Sequence, residues 1–169
     1  MDIYHDEDTW ETFLDEFYEV FSISDLMKRK IFICGSYLEE NFNTLKEIRK
    51  EINKSESYLG FFELSFKKTH NENFIFKFDL LARISDEILM IIEHDKGGHM
   101  IELGIIISVK DYLEKTMVFV LKNAPMTQML IRGSLLTPFF MENENLFYFE
   151  SGTELKTIIS MLYFKTNQI

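Results

Sequence analysis

Hydrophobic side chains recur at a helical spacing near the N-terminus of this chain. In the segment DTWETFLDEFYEVF, one helical face collects the large apolar residues Trp10, Phe13, Leu14, Phe17 and Phe21. Asp8 and Glu11, three residues apart, match a capping box at the start of a helix. The spacing predicts a mainly helical segment over residues 8–28.

Further along, short apolar runs alternate with longer helical patterns. The short runs are rich in β-branched and aromatic residues and predict strands over 30–34, 57–66, 87–93, 115–122 and 145–151. The segments between and after them predict helices over 41–55, 74–84, 100–113, 126–136 and 153–165. The third strand, EILMIIE, has an unbroken apolar centre, which is typical of a strand covered on both faces of its sheet.

The alternation of strands and helices favours a parallel α/β fold. We predict a three-layer α/β/α architecture, flavodoxin-like or Rossmann-like, with about five mostly parallel strands and an extra N-terminal helix. The predicted division is a helical extension over 1–29 and one α/β domain over 30–169. Ligands of such sheets bind beyond the carboxyl ends of the strands. That rule selects three loops, at residues 35–37, 95–102 and 123–128.

The amino-acid composition limits the kinds of partner that the protein can bind and the compartment in which it can act. The chain of 169 residues is 46% hydrophobic, which is enough for one full core. Its net charge of −10 opposes the binding of nucleic acid, because such binding depends on cationic patches. No apolar run reaches the roughly 18 residues of a membrane-spanning helix, and the acidic N-terminus is unlike a secretory signal. The single cysteine, Cys34, fits a reducing compartment. We therefore expect a cytoplasmic protein that binds neither nucleic acid nor membranes.

One polar stretch lies between two apolar segments and contains a candidate catalytic residue. Residues 95–104 read DKGGHMIELG and contain a glycine pair and one glutamate, Glu102. A buried carboxylate is costly unless it is paired or its proton affinity shifts. Glu102 is therefore either a solvent-facing residue at a helix start, favoured by the helix dipole, or a working acid. Gly97 and Gly98, with Gly35, would expose backbone N–H groups able to hold a phosphate or a sugar.

Three segments in order resemble a known family. They are IFICGSY at the first strand, FDLLARISDEILMIIEHDKGGHMIELG around the third strand, and QMLIRG after the fourth. Over about residues 30–135 they resemble the nucleoside 2-deoxyribosyltransferase superfamily, most closely its 2′-deoxynucleoside 5′-monophosphate N-glycosidases. The resemblance implies cleavage or transfer of an N-glycosidic bond in a nucleoside or nucleotide. It also implies a homodimer that needs no metal or other cofactor.

The resemblance assigns two catalytic residues. Glu102 matches a glutamate that attacks or stabilises the anomeric carbon as the base leaves. Asp79 matches an aspartate that assists the base or orients the nucleophile. The two carboxylates would have to face one cleft to share this work, since an oxocarbenium-like state is stabilised by a carboxylate beside the sugar.

The resemblance also assigns substrate-binding residues, which are Gly35, Ser36, Tyr37, Gly97, Gly98, Gln128 and Arg132. The first three match a loop that touches sugar and phosphate, and Gly98 matches a glycine on the phosphate side. Gln128 stands where the family has a serine that reaches the phosphate site of a neighbouring subunit. Arg132 lies in the last matching segment.

Departures from the family's pattern leave other functions open. Lys96, His99 and Gln128 replace smaller residues, which puts phosphate recognition in question. A non-catalytic nucleotide-sensing or interaction module is one alternative. A TIR-like enzyme that cleaves NAD⁺ is another, because such domains share the layered fold and a glutamate. His94 and His99 with Asp95 form a possible metal-ligand pattern, but metal sites usually show a more constrained ligand set, and we predict none.

Overall fold

The structure of the chain is a computed structural model that describes residues 7–69, 74–94, 98–141 and 144–164. Within these residues one sheet is formed by β1 (Arg29–Cys34), β2 (Tyr58–Phe61), β3 (Glu87–Ile92), β4 (Thr116–Leu121) and β5 (Leu146–Phe149). The helices are α1 (Glu7–Val20), α2 (Ile23–Leu26), α3 (Glu39–Ile52), α4 (Phe74–Ile84), α5 (His99–Ser108), α6 (Lys110–Glu114), α7 (Pro125–Arg132), α8 (Thr137–Met141) and α9 (Gly152–Phe164).

The strands are all parallel and lie in the order β2-β1-β3-β4-β5. This is the flavodoxin-like order, in which the direction of winding reverses between β1 and β3. The predicted three-layer, flavodoxin-like architecture is therefore confirmed. The switch point places the loops after β1 and β3 side by side at the carboxyl edge of the sheet.

Two apolar layers cover the sheet, because successive strand residues point to opposite faces. On β1, Ile31 and Ile33 pack with α3 and α9 on one face, whereas Phe32 and Cys34 pack with the remaining layer of helices on the other. On β3, all residues from 88 to 92 are buried. The apolar centre of that strand is explained by its position between the two layers.

The N-terminal helical segment is packed into the core. Phe13 and Phe21 are buried, and the centroids of both rings lie 5.8 Å from the ring of Phe66. The helix predicted over 8–28 is divided in two, since the backbone of Ser22 is extended and caps the start of α2.

The strand predicted over 57–66 ends early. β2 stops at Phe61, and a short 3-10 turn follows at residues 63–65. Phe62 and Phe66 flank this turn and are buried on opposite faces of the sheet. A continuous strand would place residues four apart on the same face, so the turn is what allows both rings to be buried. It also turns Glu63 toward the carboxyl edge.

Two differences affect the predicted helices. The helix predicted over 100–113 is divided at Val109, whose backbone is extended between α5 and α6. The short helix α8 follows α7 and was not predicted as a separate element; Pro138 lies in its first turn, where proline is tolerated. Within the described residues, no helix combines the length and the apolar character needed to span a membrane.

Candidate functional site

A cleft of about 370 Å³ opens at the carboxyl ends of β1 and β3, at the switch point of the sheet. Its described lining comes from the loops after β1 and β3, the turn after β2 and the ends of α4 and α5: Gly35, Ser36, Tyr37, Leu38, Glu63, Phe74, His94, Gly98, His99 and Glu102. Two of the three loops selected from the sequence meet here. The third, at 123–128, contributes no residue to this lining.

Two glycines of the cleft lining have no room for a side chain. A Cβ atom at Gly35 would lie 2.9 Å from Leu45 Cδ1, and one at Gly98 would lie 2.9 Å from Phe74 Cζ. Neither distance is possible without movement of the neighbouring side chain. At Gly35 the space is filled by the buried side chain of Leu45, and at Gly98 it is filled by Phe74 of the cleft lining. That these glycines present backbone N–H groups to a ligand stays a prediction.

Glu102 forms part of the cleft wall in the first turn of α5. Its side chain is 12% exposed, and Oε2 is buried without a hydrogen-bond partner among the described residues. The nearest basic atom, His99 Nδ1, is 3.6 Å from Oε2 and also lacks a partner within the described part of the chain. This distance exceeds a normal hydrogen bond. Because buried polar atoms are nearly always bonded, the pair is suited to receive a polar or cationic group of a ligand.

A hydrogen bond joins the two loops of the cleft. Ser36 is buried, and its Oγ lies 2.5 Å from His94 Nε2. The same oxygen accepts a hydrogen bond from the N–H of Leu38 at 3.2 Å. The rings of His94 and His99 lie 5.3 Å apart. These contacts hold the loop after β1 against the loop after β3, so the cleft has a fixed polar floor.

Glu63 is a cleft residue that the sequence did not reveal. It lies in the turn after β2, and Lys77 Nζ is 3.6 Å from its Oε1, with both side chains largely buried. Burial raises the pKa of Glu63, the charge of Lys77 lowers it, and the charge of Glu102 raises it, with a net upward shift. The only sequence signal was its place just after the core of the second predicted strand.

The two carboxylates of the cleft affect the ionisation of neighbouring groups. Burial raises the pKa of Cys34 well above its ordinary value, and Glu102 and Glu63 raise it further. Burial also raises the pKa of Tyr37, again with contributions from both carboxylates. Cys34 is therefore a neutral buried thiol rather than a nucleophile, and Tyr37 presents a neutral hydroxyl.

A further carboxylate lies behind the cleft. Glu93 follows β3, and its Oε2 is buried with no hydrogen-bond partner among the residues described. Burial raises the pKa of Glu93, and His99 opposes this shift. His99 thus interacts electrostatically with Glu93 and lies 3.6 Å from Glu102, and the sequence pattern did not single out this arrangement.

The structure does not bring Asp79 to the cleft. Asp79 is buried on α4, where Oδ1 accepts a hydrogen bond from the Tyr112 hydroxyl at 2.6 Å and Oδ2 accepts one from Arg83 Nε at 2.7 Å. Both oxygens therefore face α6 and the helix's own last turn. The shared cleft that we expected for Asp79 and Glu102 is formed by Glu63 and Glu102 instead.

The remaining predicted residues lie elsewhere. Gln128 and Arg132 are exposed on α7 and do not line the cleft. Gly97 lies outside the described residues, as does Asp95. Within the residues that are described, no three His, Cys, Asp or Glu side chains are grouped so that they would hold a metal ion.

The fold and the site define a class: a parallel, flavodoxin-like α/β protein with an acidic cleft at its topological switch point. The chain belongs to a protein family of unknown function, DUF8170, which matches residues 13–131. The match spans β1 to β4 and every described residue of the cleft lining. No curated protein matches the chain.

Proposed function

We propose that this protein cleaves, or transfers, the N-glycosidic bond of a deoxynucleoside, a nucleotide or a related N-riboside. The observation that carries the proposal is the buried, unpartnered Oε2 of Glu102 on the wall of a cleft at the switch point. The resemblance to the nucleoside 2-deoxyribosyltransferase superfamily, whose glutamate Glu102 matches, supports the same activity.

The chemistry suits a carboxylate in this position. Departure of the base leaves positive charge on the sugar ring, in an oxocarbenium-like state. A carboxylate beside C1′ stabilises that charge or attacks C1′ to form a covalent glycosyl-enzyme. Glu102 is available for this role because Oε2 has no partner among the described residues that would compete with the sugar.

The sugar would lie over the loop after β1. Ser36 and the backbone at Gly35 would contact its hydroxyl groups, and Tyr37 would offer a neutral phenol as a donor. Gly98 at the start of α5 would let the substrate approach the backbone. In this proposal the reaction uses no metal or organic cofactor, and the protein acts in the cytoplasm.

The proposed assembly is a homodimer, as the resemblance implies. Gln128 and Arg132 are exposed on α7, and Ile131 of the same helix borders a groove with Phe140 and Tyr148, in which the three side chains are 48%, 64% and 41% exposed. A contiguous apolar patch is typical of a contact surface. A second copy could therefore bring Gln128 and Arg132 to its neighbour's site, although neither lines the cleft of its own chain.

The direct test is base release from a panel of deoxynucleosides, deoxynucleoside 5′-monophosphates and NAD⁺, followed by chromatography. We expect release of a free base from at least one deoxynucleoside or its monophosphate. Glu102→Gln should reduce the rate by at least about a hundredfold, the scale of losing one electrostatic contact to the transition state. Glu114→Gln, on the exposed face of α6, is the matched control and should leave the rate unchanged.

Other outcomes identify the alternatives. Release of nicotinamide from NAD⁺, with deoxynucleotides left intact, would indicate the TIR-like activity. Tight binding of a nucleotide with no release by the wild-type protein would indicate a sensor. Cleavage of NAD⁺ alone would contradict a deoxynucleoside substrate, and binding without release would contradict cleavage of any N-glycosidic bond.

A further inference from the structure

Glu63 and Glu102 face the same cleft from different elements. Glu102 lies in the first turn of α5, and Glu63 lies in the 3-10 turn after β2, on the other side of β1 from β3. N-glycoside cleavage needs two different groups: one that stabilises the sugar and one that delivers a proton to the departing base. The cleft therefore contains two carboxyl groups for two tasks.

The surroundings of the two carboxyl groups differ. Lys77, which is almost fully buried on α4, lies 3.6 Å from Glu63 Oε1. Glu102 on α5 adds negative charge, and Tyr37 and Cys34 are the other titratable groups that interact with Glu63. Burial and Glu102 together outweigh Lys77, so the pKa of Glu63 lies above its ordinary value. A carboxyl group whose pKa is raised by its surroundings is suited to act as a general acid.

Building on the proposed function, we propose that Glu63 is the general acid that gives a proton to the departing base, while Glu102 faces the sugar. The C1′–N bond breaks, its electron pair goes to the base, and the base takes the proton from the Glu63 carboxyl group. Water then adds to C1′ and returns a proton to the Glu63 carboxylate. The net reaction consumes one water and yields the free base and the sugar.

Asp79 and His94, two other polar residues near the cleft, already have hydrogen bonds elsewhere. Both oxygens of Asp79 are bonded to Tyr112 and Arg83, away from the cleft. His94 Nε2 lies 2.5 Å from Ser36 Oγ. His99 Nδ1 lies 3.6 Å from Glu102 Oε2, on the sugar side of the proposed site, and has no hydrogen bond among the described residues. Glu63 is thus the cleft carboxyl group with the surroundings of a proton donor.

The test compares two leaving groups in the Glu63→Gln variant. One substrate is the deoxynucleoside that the panel identifies. The other has the same sugar and a leaving group that needs no proton: the N7-methylated base for a purine, or 4-nitrophenol for a pyrimidine. We expect Glu63→Gln to lose about 10²–10⁴-fold on the first substrate, the usual contribution of general acid catalysis, and to retain nearly all of its rate on the second.

Glu102→Gln should lose activity on both substrates, because the sugar needs its carboxylate whichever group departs. Glu63→Asp keeps a carboxyl group and should restore part of the rate on the ordinary substrate. The wild-type rate should fall as pH rises through the pKa of Glu63, which gives the pH–rate profile a descending limb. This limb should be absent in Glu63→Gln but present in Glu63→Asp. Lys77→Met should move the limb to higher pH, since the charge of Lys77 lowers the pKa of Glu63.

Equal losses on the two substrates, or an unchanged rate in Glu63→Gln, would overturn the assignment of Glu63. If Glu102→Gln still loses activity in that experiment, the proposed function stands and only the identity of the acid is wrong. If the wild-type protein cleaves neither substrate, both proposals fail together.

Discussion

Asp79 accepts hydrogen bonds from Tyr112 and Arg83, and the Tyr112 hydroxyl lies in a buried setting that keeps it protonated. Removing that hydroxyl in Tyr112→Phe leaves a buried carboxylate oxygen without its partner. We expect the free energy of unfolding to fall by about 1–3 kcal/mol, the cost of an unsatisfied buried group. Urea unfolding measures this change, and Tyr18→Phe at an exposed position of α1 is the control.

Base release should be unchanged in Tyr112→Phe, because neither Tyr112 nor Asp79 lines the cleft. A variant with normal stability but lost activity would contradict a structural role for Asp79. It would restore the catalytic role that the resemblance implied.

Gly98 and Gly104 lie on the same helical segment but in different surroundings. A Cβ at Gly98 meets the ring of Phe74, whereas a Cβ at Gly104 meets nothing within 4 Å. Gly104→Ala should therefore stabilise the protein by about 0.5–1 kcal/mol, the helix preference of alanine over glycine. Gly98→Ala should displace Phe74 into the cleft and reduce base release about tenfold or more, since small misplacements near reacting atoms are costly.

Thermal unfolding and base release, measured on both variants, separate the two effects. A Gly98→Ala variant with wild-type activity would show that Phe74 can move away from the cleft. It would then follow that the size of residue 98 does not control the site.

At the scale of single residues, the sequence predicts some residues of the cleft and misses others. Gly35, Ser36 and Glu102 directly follow strands or start a helix, so the topology of a parallel sheet places them at its carboxyl edge. The contact that removes Asp79 from the cleft joins it to a tyrosine 33 residues away, and no local pattern contains that information. Glu63 was missed because the apolar run around it extends the strand pattern past the point where β2 ends.

At the scale of elements, α1 is tied to the segment before α4 by one buried carboxylate. Glu16 accepts hydrogen bonds from the Lys68 N–H, the Thr69 N–H and the Thr69 hydroxyl. Burial raises the pKa of Glu16, but these hydrogen bonds outweigh it, so the pKa lies below its ordinary value of 4.5. The ionised form is therefore stabilised by folding.

This arrangement predicts a pH-dependent effect of Glu16→Gln. Because the folded-state pKa is depressed, the stabilisation is present above pH 4.5 and is lost as pH falls through the lower folded value. We expect the variant to be about 1–3 kcal/mol less stable at pH 7, with the difference shrinking in acid. Unfolding measured between pH 3 and 7 tests this, with Glu19→Gln, which removes only an exposed ion pair with Lys68, as the control. A gap that stays constant with pH would contradict the role of the ionised carboxylate.

The elements themselves could be predicted well where periodicity is strong. The five strands and the long helices are found close to their predicted positions, because the strands are short apolar runs and the long helices have a core face with a regular repeat. The predicted boundaries are wrong where the backbone conformation ends an element although the apolar pattern continues. This happens at Ser22, at Val109 and in the turn after β2. Hydrophobic spacing continues across these points, so it cannot mark them.

At the scale of the whole molecule, the parallel layered fold follows from connection rules more than from any single residue, whereas the strand order is known only from the structure. Helical crossovers between parallel strands have a fixed hand, and the alternation in the sequence supplies one crossover after another. The fold class and the edge that carries the cleft could therefore be predicted. The reversal between β1 and β3 brings together the loops after these strands, and Ser36 and His94 in those loops are 58 residues apart. Their pairing is therefore visible only in the structure.

The surface formed by α7, α8 and β5 supports a last prediction about assembly. Ile131, Phe140 and Tyr148 are 48%, 64% and 41% exposed and border one shallow groove beside Arg132. We expect the chain of 20.2 kDa to form a homodimer through this surface, because a contiguous apolar patch is stabilised by burial against its symmetry mate. Light scattering after gel filtration should give twice the mass of one chain, and Ile131→Glu should give the monomer. Met27→Glu, which changes an apolar residue that is 89% exposed after α2, should remain a dimer.

If Gln128 and Arg132 act in the neighbour's site, base release should fall in the monomeric Ile131→Glu variant and stay normal in the Met27→Glu control. If the wild-type protein is a monomer, neither residue belongs to the proposed site.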